Sequence, residues 1–180
     1  MRIISGQFKG RYIKTRKGIK PTEAKLRKGL FDILTDKIPE SRFLELFCGT
    51  GSVGIEALSR GVKEVLFVEN DQQCIEILKE NLTSIPHTIY SIFRSSVFKA
   101  IETLSGDKRR FDIIFLDPPY YRNLAKKTLN QLAKYDILAP CGIIVVQHHK
   151  KDILPKKIEG LTVYRQQKYG DTILSFYIKR

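Results

Sequence analysis

Asp117-Pro118-Pro119-Tyr120 follows directly on the apolar run Phe111–Leu116. Two prolines stop a strand, fix φ twice and leave the Pro118 carbonyl with no partner inside the strand. Asp117 adds carboxylate acceptors beside that carbonyl, and Tyr120 adds a flat ring. Together they suit an –NH2 group on a planar base: carboxylate and carbonyl each accept one N–H, and the ring stacks on the base. The competing explanation is a proline-stopped strand followed by a core tyrosine. A place at the tip of the fourth strand of a nucleotide-binding sheet weighs against it.

A second cluster precedes it. Gly49-Thr50-Gly51-Ser52-Val53-Gly54 has the spacing of a glycine turn between a strand and a helix, and Glu69 ends the next strand twenty residues after Gly49. Such glycines let the backbone turn tightly and approach a ligand, while an acid at the second strand's tip can accept both ribose hydroxyls. This serves any adenosine cofactor, NAD or S-adenosylmethionine. Glu45 separates the two. It lies inside the first strand, where a charge is costly unless it serves a cofactor or a backbone donor. An NAD enzyme has little use for it, whereas a methyltransferase uses an acid there to steer the cationic methionine end of its cofactor.

The elements that must position these groups alternate. The pattern predicts strands over Arg42–Phe47, Lys63–Glu69, Thr88–Phe93, Phe111–Leu116 and Gly142–Gln147. Between them it predicts helices over Val53–Arg60, from Asp71 through Leu82, from Val97 through Leu104 and over Asn123–Lys134. Thr162–Gln166 and Thr172–Lys179 form a closing antiparallel hairpin. Alternating βα units imply a parallel sheet covered by helices, with ligands at the carboxyl ends of the strands. Ahead of them, Arg2–Ile4 and Arg11–Lys14 read as short strands around a Gly6–Gly10 turn. Pro21-Thr22 opens a helix to about Leu34, with Leu26, Leu30, Ile33 and Leu34 on one stripe. Lys25, Arg27 and Lys28 fall largely off that stripe, which predicts that they face solvent or a ligand. The division expected is a basic appendage over residues 1–41 and a catalytic unit over 42–180, together effectively one compact domain.

At 180 residues with 42% hydrophobic and 10% aromatic content, the chain has an ordinary globular composition. No apolar run approaches the roughly 20 residues of a membrane span, and the opening MRIISGQFKG does not look like a secretion signal. Cys48, Cys74 and Cys141 are widely spaced and odd in number, and His87, His148 and His149 lack partners at ligand spacing. Neither a disulfide framework nor a metal site is expected, and a reducing cytoplasm is. The net charge of +13 is uneven: residues 1–42 hold 12 of the 32 basic side chains and 4 of the 19 acidic ones, a net of +8. A bias confined to one segment is what a docking face for a polyanion requires, although a merely solvated basic face would look the same.

The run from Leu44 to Gly61, LELFCGTGSVGIEALSRG, resembles the first motif of the RsmD family, bacterial methyltransferases of 16S rRNA guanine N2. The resemblance runs nearly end to end. Met1-Arg2-Ile3-Ile4-Ser5-Gly6, Lys9-Gly10-Arg11, the Pro21-Thr22 helix, Asp117–Tyr120 and Tyr169-Gly170-Asp171-Thr172 with Leu174-Ser175-Phe176 match in order. It implies a Rossmann-like α/β class I methyltransferase fold: a seven-stranded, mostly parallel sheet, a C-terminal antiparallel hairpin and a small N-terminal hairpin plus helix.

The implied cofactor is S-adenosylmethionine, with its ribose on Glu69, its adenine near Asn70, Ser96 and Val97, and its methionine end near Glu45, Phe47 and the Gly49–Gly51 loop. Asp117, Pro118, Pro119 and Tyr120 would be catalytic. Arg2, Lys9, Arg11, Lys14, Lys25, Arg27 and Lys28 would bind ribosomal RNA or the small subunit, as a monomer without metal or membrane. The chain departs from the family at Ala24, Lys28, Ser96 and Gln147, where an aspartate, a glutamate, an Asp or Asn, and an acid are usual. Two other enzymes use this tetrapeptide type, an adenine-N6 methyltransferase and a glutamine-N5 protein methyltransferase. The first lacks room here for a target-recognition region; the second favours Asn where Asp117 stands. A ribosome-assembly factor that keeps the fold without turnover is the rival of another class.

Overall fold

In the computed structural model, which describes residues 1–16, 24–119 and 123–179, the period-2 alternation of the strands divides two cores. The central strands are β1 (Arg42–Leu46), β2 (Glu64–Glu69), β3 (Tyr90–Arg94), β4 (Phe111–Leu116) and β5 (Leu138–His149). Phe43, Phe67, Ile113, Phe115 and Val145 point to one face, where they meet α1 (Ala24–Leu34), α2 (Ser52–Ser59) and α3 (Gln72–Leu82). Leu44, Leu66, Val68, Ile114 and Val146 point to the other, against α4 (Val97–Gly106) and α5 (Leu124–Lys134). Strands covered on both faces are apolar nearly throughout, which is why β4 carries a single polar residue, Asp112.

The chain completes the sheet with β6 (Lys157–Ile158), β7 (Leu161–Tyr169) and β8 (Thr172–Lys179), giving eight strands in the order β3-β2-β1-β4-β5-β8-β7-β6. The first five run parallel and the last three antiparallel. Seven were anticipated; the eighth is the two-residue β6, too short to leave a periodic signal. β5 is also twice the length anticipated, because Leu138 pairs with Phe111 across a register shift and His148 and His149 pair with β8. The strand order reverses between β1 and β4, so their carboxyl ends flank the crevice where such sheets bind ligands.

The N-terminal hairpin forms only in part. Arg2 and Tyr12 make a single bridge, supported by Ile3 N–H to the Arg11 carbonyl (3.0 Å) and Ile13 N–H to the Met1 carbonyl (2.7 Å). Gly10 N–H closes the turn on the Ile3 carbonyl (3.0 Å), and four other donors turn to α2. Ile4 and Ser5 N–H donate to Glu56 (2.8 and 3.0 Å), Gln7 N–H to the Ser59 carbonyl and Phe8 N–H to the Ser59 hydroxyl. The predicted opening of α1 at Pro21-Thr22 lies outside the described residues. The buried stripe of α1 is Leu26, Leu30, Phe31 and Leu34, and Tyr169 of β7 packs so close to Gly29 that a Cβ there would meet its hydroxyl.

Arg27 corrects the sequence expectation, for it faces neither solvent nor ligand. It is fully buried, donates to the Arg2 carbonyl (2.7 Å) and lies 3.5 Å from the equally buried Glu56. The expected stripe used Ile33 where the buried face has Phe31, and the true stripe runs through Arg27, three and four residues before Leu30 and Phe31. A second layer, the N-terminal segment, covers that side of the helix, and the acid on α2 together with the Arg2 carbonyl makes the burial tolerable.

Candidate active site

The glycine turn is built to bring α2 against β1. Gly51 occupies the left-handed region (φ +79°) as the residue before α2. Gly54 is required for contact: a Cβ there would stand 2.6 Å from Glu45 Oε2 and 2.4 Å from the Phe67 ring. That closeness lets Glu45, only 3% exposed, accept the Gly54 N–H at 2.8 Å. Of the two duties that could justify an acid inside β1, a backbone donor is thus present. Burial pushes the Glu45 carboxyl up to about 8; the Gly54 and Val53 N–H groups oppose this, and the negative Asp117 and Glu69 add to it.

Glu69, at the tip of β2, accepts three backbone N–H groups. Oε2 takes Gly49 (2.8 Å), and Oε1 takes Asn70 (2.8 Å) and Asp71 (3.0 Å). It therefore clamps the glycine turn to the next loop, a duty beyond the ribose contact expected of it. Ser95 N–H donates to the Glu69 carbonyl (3.0 Å), which carries Ser96 and Val97 to the same tip. Ser96 is exposed and caps α4 through Lys99 N–H, while Val97 is buried. Asn70 is exposed, and Phe47, partly buried, holds a positive φ of 58° at the end of β1. The expected cofactor residues thus converge on the tips of β1, β2 and β3.

On the other side of the crevice, Asp117 is half-buried, Pro118 buried and Pro119 exposed. Tyr120 lies outside the described residues. Gln147, in β5 beside the tip of β4, donates from Nε2 to Asp117 Oδ2 at 2.9 Å. A cavity of about 420 Å³ opens here, lined among others by Pro118, Pro119, Lys126, Gln147, His148 and Lys151. Of these, sequence reasoning noted Gln147 only as a departure and missed Lys126, His148 and Lys151. The pairing of β5 with β4 brings Gln147 and His148 there: Leu116 lies opposite Val146, so both sit beside the tip of β4. His148 is held neutral by burial and contacts the Ser175 hydroxyl at 2.8 Å.

The basic residues of the appendage scatter. Arg2, Lys9, Arg11, Lys14, Lys25 and Lys28 are exposed, and several have partners: Arg11 the Ser84 hydroxyl (2.6 Å), Lys14 Glu80 (2.6 Å) and Lys28 Asp32 (2.6 Å). Exposed pairs of this kind are weak and exchange readily for another anion.

Chemically, the crevice sets acceptors on both sides of a glycine turn. Mutual repulsion among Glu45, Glu69 and Asp117 is relieved by a cationic group bound between them, as a sulfonium with its amino group would be. The order of the sheet, the acid-bearing first strand and the glycine turn after it are those of a class I S-adenosylmethionine-dependent methyltransferase. Within that class, residues 1–178 match the family model described as "Conserved hypothetical protein 95", and the chain belongs to this family, the RsmD methyltransferases.

Its relatives include Ribosomal RNA small subunit methyltransferase D of Haemophilus influenzae, 32% identical over 183 residues and covering 92% of each chain. The Escherichia coli K12 protein of the same name is 29% identical, over 98% of this chain and 89% of its own. Among solved structures, a Thermus thermophilus protein superposes with a TM-score of 0.86 at 31% identity, over 98% of both chains.

Proposed function

We propose that the protein methylates the exocyclic N2 amino group of a guanine in 16S ribosomal RNA. The observation that carries this reading is the half-buried Asp117 at the tip of β4, next to Pro118 and hydrogen-bonded to Gln147, both of which line the cavity. The names of the relatives support the ribosomal RNA. Glu69 would hold the cofactor ribose, Asn70, Ser96 and Val97 the adenine, and Glu45, Phe47, Gly49 and Gly51 the methionine end. When bound, S-adenosylmethionine supplies an electrophilic methyl group on a positively charged sulfur.

The guanine must leave its stack to reach Asp117. Its amino lone pair is conjugated into the ring and is a poor nucleophile. Asp117 and the Pro118 carbonyl accept its two N–H groups and favour the pyramidal nitrogen, and Tyr120 stacks on the base. As nitrogen gains its new bond it sheds a proton, which Asp117 is placed to receive. Most of the acceleration comes from position and fixed dipoles, not from a strong base. Arg2, Lys9, Arg11, Lys14, Lys25 and Lys28, with Lys126 and Lys151 at the cavity, would draw in phosphates of the RNA or the small subunit; Arg27 takes no part. We place the reaction in the cytoplasm, carried out by a monomer.

The test is methyl transfer from labelled cofactor to separate pools of ribosomal RNA, small subunits, DNA and protein, followed by nucleoside analysis. N2-methylguanosine is expected, and Asp117→Ala is expected to lower turnover at least ~10²-fold, the scale of losing one preorganised group. Label in N6-methyladenosine or glutamine would overturn the guanine. Tight binding to small subunits without turnover would favour an assembly factor.

A further inference from the structure

The geometry points to Gln147 as the residue that reads the Watson–Crick edge of the target base and so selects guanine. The inference rests on the methyltransferase function proposed above. Gln147 is 5% exposed, stands in β5 beside the tip of β4 and lines the cavity together with Pro118 and Pro119. Its Nε2 donates to Asp117 Oδ2 at 2.9 Å. An ionised carboxylate can only accept, so Asp117 decides which way the amide faces: nitrogen toward the acid, oxygen away from it. Oε1 is buried and has no hydrogen-bond partner among the described residues. A buried acceptor without a donor is costly, and such groups ordinarily find a partner.

A base seated with its amino group on Asp117 can supply that donor, but only if the ring atom next to the amino group carries a hydrogen. Guanine does: N1–H flanks N2. Adenine N1 and cytosine N3, which flank N6 and N4, are bare acceptors. Opposite Gln147 Oε1 they would set lone pair against lone pair. A fixed acceptor beside the amine-binding acid therefore favours guanine N2 over adenine N6 and cytosine N4. Gln147 acts as a specificity residue here, and through its hydrogen bond to Asp117 it also positions the catalytic acid.

The two duties separate experimentally. The RNA or subunit pool that accepts methyl groups would be prepared with 2,6-diaminopurine riboside at the modified position. This base keeps the N2 amino group and replaces N1–H by a lone pair. 2-Aminopurine riboside, which lacks the substituent at position 6, controls for the altered O6. For the wild-type enzyme, guanine is expected to exceed both analogues in kcat/KM by at least ~10²-fold, as when a buried polar group is left unpaired. Gln147→Ala is expected to lower turnover of guanine and to shrink that ratio below ~10-fold, whereas Gln147→Glu, which keeps an acceptor, preserves it. If guanine and analogues fell together in Gln147→Ala with the ratio intact, Gln147 would merely prop Asp117 and the inference would be wrong. Equal use of guanine and diaminopurine by the wild type would also overturn it. A wild-type enzyme that modifies no guanine would instead sink the function on which it rests.

Discussion

Replacing Glu69 by glutamine is expected to harm the cofactor site about as much as replacing it by alanine, although glutamine is nearly the same shape. Both carboxylate oxygens face N–H donors, Oε2 toward Gly49 and Oε1 toward Asn70 and Asp71. A glutamine has one acceptor oxygen and one donor nitrogen, so either orientation sets N–H against N–H. The better orientation keeps Asn70 and Asp71 and releases Gly49, which unclamps the glycine turn proposed to hold the cofactor. Loss of one hydrogen bond to a charged group is worth about 1.5–3 kcal/mol, or roughly 10- to 150-fold in affinity. Alanine loses all three bonds but introduces no opposed donors, and at this partly exposed tip water can replace them. Calorimetric titration with S-adenosylhomocysteine reads the effect, with NAD as a control ligand that is not expected to bind in the micromolar range. Both variants are expected to bind at least ~10-fold more weakly than the wild type and to lie within about 3-fold of each other. Wild-type affinity in Glu69→Gln would refute the clamp and the ribose contact together.

The buried pair of the appendage is expected to respond asymmetrically. Glu56→Ala strands the fully buried Arg27 and the Ile4 and Ser5 N–H groups and should cost about 3–5 kcal/mol. Arg27→Met leaves Glu56 with Arg60 and both N–H groups and should cost less than about 2 kcal/mol, with RNA affinity unchanged. Urea unfolding decides, and a larger loss in Arg27→Met would contradict this account.

Glu45 predicts a pH dependence of the ligand-free protein. A carboxyl raised from 4.5 to about 8 keeps in the folded state a proton that the unfolded chain has released. Its stabilising contribution is complete below 4.5 and is lost as pH rises toward about 8. Unfolding free energy measured across that window should fall more steeply for the wild type than for Glu45→Gln, and parallel curves would refute the shift. Finally, replacing Arg11, Lys14 and Lys25 together by glutamine should flatten the slope of log RNA affinity against log salt by up to roughly 2–3 units, with cofactor affinity unmoved. An unchanged slope would make the patch a solvated face.

What the sequence determined by itself is whatever short-range pattern encodes. Alternation at period 2, helices at period 3.6, the glycine turn after β1 and the proline stop after β4 sufficed for the parallel sheet and for the residues at its strand tips. Glu45, Glu69 and Asp117 could be named because each sits at a fixed offset from such a pattern. Tertiary structure decided what depends on partners distant in the chain. Arg27 looked like a surface cation until Glu56, twenty-nine residues on, was packed beside it with the N-terminal segment closing over both. The hairpin stays short, with Glu56 and Ser59 taking the donors of Ile4, Ser5 and Phe8. Gln147 became part of the site only when β5 was laid against β4, thirty residues from Asp117 in sequence and 2.9 Å in space. A residue's type and spacing say what it can donate or accept, but which group receives it is settled by burial, because only in the folded interior does an unpaired polar atom become too costly to leave alone.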